Sequence, residues 1–380
     1  MKVLIDNCVP LNNGDAALIF SLEEKISAKH EVTLCCLNYK TVKEKYPQYE
    51  WIPSYINTKF YKFSRKIPYM NILWKIVISI ALLNKNNPYN RSDVIISAPG
   101  GYLHSYYGIE ARMFILYFCK KILKKRVGIY SQSIGNLSLK DQKILKKYGS
   151  SLDFILTRDK TSFDRAKDYG LKENLILTKD AAFMLNTSEN FVNEYKNKVI
   201  AISMRSWGNE GRDLDKYFNM MDLLVKQVLA RGYSIVFIST CQGIRDYVDD
   251  SSTAKAFIKK FNYSDDNRIS VDSSYYDLNQ LQKKLTGYDF VIGTRLHMCI
   301  LALINKVVAF NISYEEKGKE CYSYLNLEDF SVDYNDQNVQ EKISHFLNLD
   351  QYEREEIINR VKKISEEQFE IFKSIEKIIE

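Results

Sequence analysis

Short apolar runs alternate along this chain with longer amphipathic ones, and the rhythm occurs twice, which restricts the fold to parallel α/β units. The first set predicts strands at Lys2–Ile5, Val32–Leu37, Val94–Ser97, Arg126–Ser131, Phe154–Thr157 and Leu175–Thr178. Helical spacing lies between them over Asp15–Lys29, Glu110–Lys124, Lys140–Tyr148 and Thr161–Tyr169. The second set predicts strands at Val199–Ser203, Ser234–Ser239, Phe290–Ile292 and Val307–Phe310. Its helices fall over Asp215–Arg231, Arg245–Phe261, Leu278–Leu285 and Leu296–Ile304. Two such sets predict two doubly wound lobes facing each other across a cleft. The polar stretch Asn186–Lys198, rich in Asn and Glu, is the expected linker. The expected domains are residues 1–187, residues 188–349 and a closing helix over residues 350–380, where Ile357, Ile358, Val361, Ile364, Phe369, Phe372 and Ile375 recur at helical spacing.

Composition narrows the class. A chain of 380 residues is too long for one ordinary core. With 46% hydrophobic and 27% charged residues it is globular rather than disordered. The net charge of +7 is too small to imply nucleic-acid binding, but it suits an anionic substrate or surface. The seven cysteines are odd in number, sit mostly in apolar runs and form no C-x-x-C pair, so they read as buried thiols in a reducing compartment. The four histidines are not spaced with cysteines as a ligand set, and no metal is expected. Met1–Asp6 reads as a strand rather than the apolar core of a signal peptide. The most apolar window, Ile72–Leu83, contains Lys75 and is too short to span a bilayer. The expected location is the cytoplasm.

Open α/β sheets bind ligands beyond the carboxyl ends of their strands, so the residues that follow strands carry the functional information. Asn12-Asn13-Gly14-Asp15 follows the first strand and opens a helix, where Asp15 is either a cap or a ligand-facing carboxylate. Pro99-Gly100-Gly101-Tyr102 allows close backbone approach to a phosphate or sugar, although no G-K-[ST] follows as in a Walker loop. His104 nearby reads as a surface residue. Ser131–Gly135 is a small, polar strand-end loop. Arg158 ends a strand beside Asp159, and either pairs locally or points its planar fork at an anion. Arg205 repeats the arrangement in the second set, with a salt bridge as the alternative.

Val291–Met298 is the most informative segment. An apolar strand stops at Gly293, and the next helix begins with Arg295 and His297 in its first turn. Residues two apart do not share a helix face, so the connecting loop has to aim both inward. Lys317 belongs to the following strand-end loop; its charged neighbours, Glu315–Glu320, would on their own read as a solvated face.

Taken together, Asn12–Ala16, Pro99–Gly101, Thr157–Ser162, Ile202–Trp207 and Gly293–His297, followed by Tyr314 and Lys317, resemble the polysaccharide pyruvyl transferase family over roughly residues 5 to 325. The resemblance implies a glycosyltransferase-B-like fold of two Rossmann-like lobes, the first on the acceptor side and the second on the donor side. It also implies transfer of the enolpyruvyl group of phosphoenolpyruvate, a co-substrate rather than a cofactor, to a glycan or lipid-linked sugar. The product is a pyruvate ketal with release of phosphate. Arg158, Arg205, Arg295, Lys317, Gly100 and Gly101 fall on donor-binding positions, and Asn13, Asp15 and Tyr102 on acceptor positions. His297 is the implied general acid, with Arg295 and Asp15 assisting. Tyr102 stands where the family often has a third glycine.

Two other readings are a nucleotide-sugar glycosyltransferase of the same architecture and a non-catalytic glycan-binding relative. Residues 54–91 hold Lys59, Lys62, Arg65, Lys66, Lys75, Lys85 and Arg91 without an acidic residue and interleaved with aromatics. They read either as an insertion packed on the first lobe or as a contact with the inner face of an anionic membrane.

Overall fold

A run that is apolar on both faces is satisfied only inside a sheet covered by helices on each side, and the strands of this chain find that setting. The computed structural model describes residues 1–64, 67, 69–187, 197–207 and 211–379. The first sheet contains β1 (Lys2–Cys8), β2 (Glu31–Cys36), β3 (Trp51–Pro53), β4 (Val94–Ser97), β5 (Gly100–Leu103), β6 (Arg126–Ile134), β7 (Phe154–Thr157) and β8 (Leu175–Leu177). Their order is β3-β2-β1-β4-β6-β7-β8, with β5 paired to β6. The second sheet contains β9 (Val199–Ser203), β10 (Ser234–Phe237), β11 (Ile269–Val271), β12 (Phe290–Gly293), β13 (Ala309–Ser313) and β14 (Ser331–Asp333). Its order is β11-β10-β9-β12-β13-β14. Every pairing is parallel among the described residues, and each order reverses beside the first strand of its set. That reversal is the doubly wound, Rossmann-like pattern read from the sequence.

Several boundaries differ from the sequence reading, and each has a local cause. The sequence reads Pro99–Tyr102 and Ser131–Gly135 as strand-end loops. They form a ladder instead, with Gly100 opposite Gln132 and Leu103 opposite Ile134. Polar residues misled the reading, because the amide of Gln132 is buried and donates to Ala98 O at 2.5 Å. The strand expected at Val307–Phe310 runs over Ala309–Ser313. Its polar members are bonded inside the sheet: Asn311 Nδ2 donates to Gly293 O at 3.2 Å, and Ser331 Oγ donates to Asn311 Oδ1 at 3.1 Å. The strands β3, β11 and β14 have three residues each, too short to show periodicity.

The chain divides into two compact units. The first comprises Met1–Pro10, Leu18–Met184 and Gln368–Glu380, and the second Leu11–Ala17 and Leu185–Glu367. Two helices, Asn13–Ser27 and Gln351–Ile379, therefore carry residues of both. In the first unit the end of the long helix is tied to strand ends: Gln368 Oε1 accepts from Thr178 Oγ1 at 2.6 Å and from the Lys179 N–H at 2.9 Å. Most of the expected linker, residues 188–196, lies outside the described residues, as do Arg65 and Lys66.

Close packing makes specific demands. Gly128 in β6 lies beneath the ring of Phe154, its partner in β7, and an added Cβ would stand 2.2 Å from that buried ring. Gly128→Ala should cost about 1–3 kcal/mol of stability in urea denaturation, because a core at this density cannot absorb the extra carbon. All seven thiols are buried. Burial pushes Cys36, Cys241 and Cys299 up to about 12. Raised values keep the thiols protonated in the native state. Their stabilising contribution is therefore full below the unfolded pKa of about 8.5 and is lost as pH climbs toward the native values. Iodoacetamide near pH 8 should leave the native protein unmodified by intact mass and alkylate all seven cysteines in guanidinium.

Candidate active site

The second unit gathers charged and aromatic side chains at the carboxyl ends of β9, β10, β12 and β13. Each residue of the segment that follows β12 has a local reason for its type. Gly293 allows the helix Leu296–Ile304 to approach closely, since a Cβ there would stand 2.6 Å from Cys299 Sγ. Thr294 donates its N–H to Ser203 O at 2.9 Å, and its hydroxyl is 2.8 Å from the phenol of Tyr217. Arg295 is the N-cap residue in extended backbone conformation, and its side chain does not cap the helix. Its guanidinium turns instead to Asp250, with Nε 2.8 Å from Oδ2 and Nη2 2.9 Å from Oδ1. Burial works against the charged guanidinium, but the Asp250 carboxylate outweighs it and raises the Arg295 pKa further.

Asp250 is fully buried and completely engaged. Beyond Arg295 it accepts the Ser206 N–H at 3.0 Å and the Ser239 hydroxyl at 2.7 Å. One carboxylate thereby joins the residues that follow β9, β10 and β12. The sequence reading missed it, because the helix expected over Arg245–Phe261 put Asp250 within a polar helical run, whereas the helix begins at Asp250 itself.

His297, half-buried in the first turn of the same helix, points elsewhere. A Cβ on Gly14 would stand 2.8 Å from His297 Cβ and Nδ1, so only glycine fits against the imidazole there. Leu11–Ala17 is held to the second unit by Asn13, whose N–H donates to Thr240 O at 2.8 Å and whose Nδ2 donates to Tyr276 O at 2.8 Å. Asn12 completes the turn by donating to Asp15 Oδ2 at 3.1 Å and accepting the Gly14 N–H at 3.0 Å. Asp15 and Arg295 both lie within electrostatic range of Cys241.

Arg205 and Lys317, predicted as separate strand-end cations, meet at Glu315. Lys317 Nζ is 2.6 Å from Glu315 Oε2, and Arg205 Nη1 is 3.7 Å from Oε1. Arg212, which the sequence did not single out, joins them with Nη2 3.8 Å from Glu315 Oε1 and Nη1 donating to Tyr314 O at 2.5 Å. The guanidinium carbons of Arg205 and Arg212 lie 4.3 and 4.8 Å from the centre of the Tyr314 ring. Burial pushes the Glu315 carboxyl up, but Lys317, Arg205 and Arg212 outweigh it and hold the pKa below the usual carboxylate range. Tyr314 also lies within electrostatic range of Arg295, which connects this cluster to β12.

The first unit has its own polar group. Arg158 is buried, donating through Nε to Ser133 Oγ at 2.7 Å and through Nη1 to Asp180 Oδ2 at 2.8 Å. Its Nη2 lies 3.7 Å from where a Cβ on Gly101 would stand, so the bare backbone of Gly101 borders the guanidinium. Gly100 is in extended backbone, and Tyr102 turns inward: its hydroxyl is 2.8 Å from Ser97 Oγ and donates to Ala98 O at 2.5 Å. His104 accepts the Tyr106 N–H at Nδ1, 3.0 Å away, and its ring packs on Gly135. No group of three His, Cys, Asp or Glu side chains is placed to hold a metal ion among the described residues.

Breaking a buried pair strands the remaining charge. Asp250→Ala should therefore cost about 3–5 kcal/mol in urea denaturation, because Arg295 would keep its charge without a partner. The double variant Asp250→Leu/Arg295→Met should recover much of that loss; a double variant as unstable as the single one would show that Ser206 and Ser239 carry the effect.

A 257-residue stretch, 63% of the chain, is 25% identical to the amylovoran biosynthesis protein AmsJ of Erwinia amylovora, and the chain spans about three-fifths of that protein's length. Two solved structures match its course almost end to end. The UDP-GlcNAc 2-epimerase of Neisseria meningitidis, bound to UDP-GlcNAc, has a TM-score of 0.61 at 12% identity, covering 99% of this chain and 100% of its own. A glycosyltransferase of Rickettsia africae has a TM-score of 0.61 at 14% identity, covering 99% of this chain and 98% of its own. At such identities the likeness concerns the fold, which is glycosyltransferase-B-like in its two Rossmann-like units. The family model for polysaccharide pyruvyl transferases matches residues 12–316, from the Asn12 turn through Glu316, and the chain belongs to that family.

Proposed function

We propose that this protein transfers the enolpyruvyl carbons of phosphoenolpyruvate to a sugar of a cell-surface glycan or exopolysaccharide, closing a pyruvate ketal and releasing phosphate. The observation that carries the reading is the convergence of Arg205, Arg212 and Lys317 on Glu315 and Tyr314, in a chain of this family. Three cations around one carboxylate form a site for a small, doubly anionic donor, and Glu315 supplies the anion when no donor is bound. Arg295, oriented by both oxygens of Asp250, adds a positive charge of set direction.

In this scheme His297 donates a proton to the methylene carbon of the donor, and a sugar hydroxyl adds to the neighbouring carbon as positive charge develops there. A second hydroxyl of the same sugar then displaces phosphate. Of the two hydroxyl protons, one restores His297 and the other leaves with the phosphate, so the donor and a diol give the ketal and phosphate. Asp15, held in its turn by Asn12, is suited to orient or deprotonate the acceptor hydroxyl, with Asn13 fixing the segment.

Incubation with phosphoenolpyruvate and a panel of bacterial glycan fragments should release phosphate. His297→Ala should lower kcat by about 10²–10⁴-fold with an unchanged melting temperature, and near-normal turnover would remove His297 from the acid role. Lys317→Met should raise the KM for phosphoenolpyruvate by about tenfold or more through loss of a charge-assisted contact. Thermal-shift titration separates the readings. Stabilisation by phosphoenolpyruvate supports pyruvyl transfer, whereas stabilisation by UDP or GDP sugars alone would assign a nucleotide-sugar donor.

A further inference from the structure

The helix Met70–Leu83 in the first unit is apolar on two opposite sides, and the protein covers only one of them. Trp74, Ile78 and Leu82 are 0%, 5% and 0% exposed. The Trp74 ring packs 5.0 Å from Tyr61 and 6.3 Å from Phe114, within the core of the first sheet. The opposite stripe, Ile72, Leu73, Ile76, Val77, Ile80 and Leu83, is between 43% and 66% exposed and contains no polar side chain. Spacings of three and four residues place these six on one continuous face. Scattered exposed leucines need no explanation, but a contiguous apolar helix face does.

Charge identifies what covers it. Residues 54–91 contain no aspartate or glutamate. Lys75, the only charged residue of the helix, turns away from the bare stripe and pairs with Glu110 at 2.6 Å. Lys59, Lys85 and Arg91, which flank the helix in sequence, are exposed. Two copies of this face packed about a two-fold axis would bring like-charged surroundings together, which disfavours a second copy of the chain as the occupant. A bilayer with anionic headgroups satisfies both features, taking the apolar stripe into the headgroup boundary and the cations above it. At 14 residues the helix is about 21 Å long, and no helix among the described residues is long and apolar enough to cross a membrane. We infer that Met70–Leu83 lies in the plane of an anionic membrane surface and holds the first unit there. This docking is independent of which donor the second unit binds.

The test is flotation of the full-length protein with vesicles of phosphatidylcholine containing about one-third phosphatidylglycerol, against pure phosphatidylcholine vesicles. The wild-type protein should float with the anionic vesicles at low salt and much less at high salt. Ile76→Glu/Ile80→Glu should lower the bound fraction by about tenfold while leaving the melting temperature unchanged, since both side chains are exposed. Failure of the wild type to float, equal binding to neutral vesicles, or undiminished binding by the double variant would each overturn the proposal. A wild-type dimer in light scattering that the double variant dissolves would also overturn it, by assigning the face to a second copy.

Discussion

The bidentate contact between Arg295 and Asp250 holds the strand ends of the second unit in register with one another. A carboxylate taken fully out of water is costly unless its lone pairs are met, and Asp250 has four donors: two from Arg295, one from the Ser206 backbone and one from the Ser239 hydroxyl. Those donors follow three different strands. Losing any of them leaves a polar group unsatisfied in a buried place, so the loops after β9, β10 and β12 are coupled through a single side chain. The pair is better understood as a device for geometry than for net stability, because desolvation of two charges offsets much of their attraction.

Glycine performs a complementary task where the backbone of one element has to reach another. Gly293 lets the helix after β12 start against its own strand, and Gly14 leaves room for the His297 ring. Gly318 makes the same allowance beside β13, where a Cβ would stand 2.6 Å from Asn311 Oδ1. These positions bring a histidine, an aspartate-bearing turn and an arginine pair into one end of the second unit. At the same end, Lys317, Arg205 and Arg212 surround the single carboxylate of Glu315 and leave the cluster with an excess of positive charge.

Much of the fold was legible in the chain. Burial on both faces makes parallel strands apolar throughout, and β1, β4, β7, β9 and β12 stood out for that reason. The expectation failed where polar residues enter a strand and donate to backbone carbonyls of neighbouring segments, as Gln132 does to Ala98 and Asn311 to Gly293. Such pairing is made by residues distant in sequence and leaves no local pattern. The motif after β12 was legible in its residue types, but apart from Gly293 the partners that account for them are distant in sequence: Tyr217 for Thr294, Asp250 for Arg295 and Gly14 for His297.

The amino-acid sequence by itself determined the two α/β sets and the placement of Arg158, Arg205 and Arg295 after strands, which follow from local periodicity and residue type, and its motifs carried the family resemblance; Lys317, expected in a loop, lies in the first turn of the helix Glu316–Tyr324. Only the tertiary structure decided which carboxylate each cation meets. It paired Arg158 with Asp180 and Arg295 with Asp250, and brought Arg205, Arg212 and Lys317 to Glu315. It also assigned Leu11–Ala17 to the second unit, with Gly14 against His297. The physical reason is range. Strand and helix formation are governed by neighbours within a few residues, whereas an ion pair depends on which strand ends the sheet order makes adjacent.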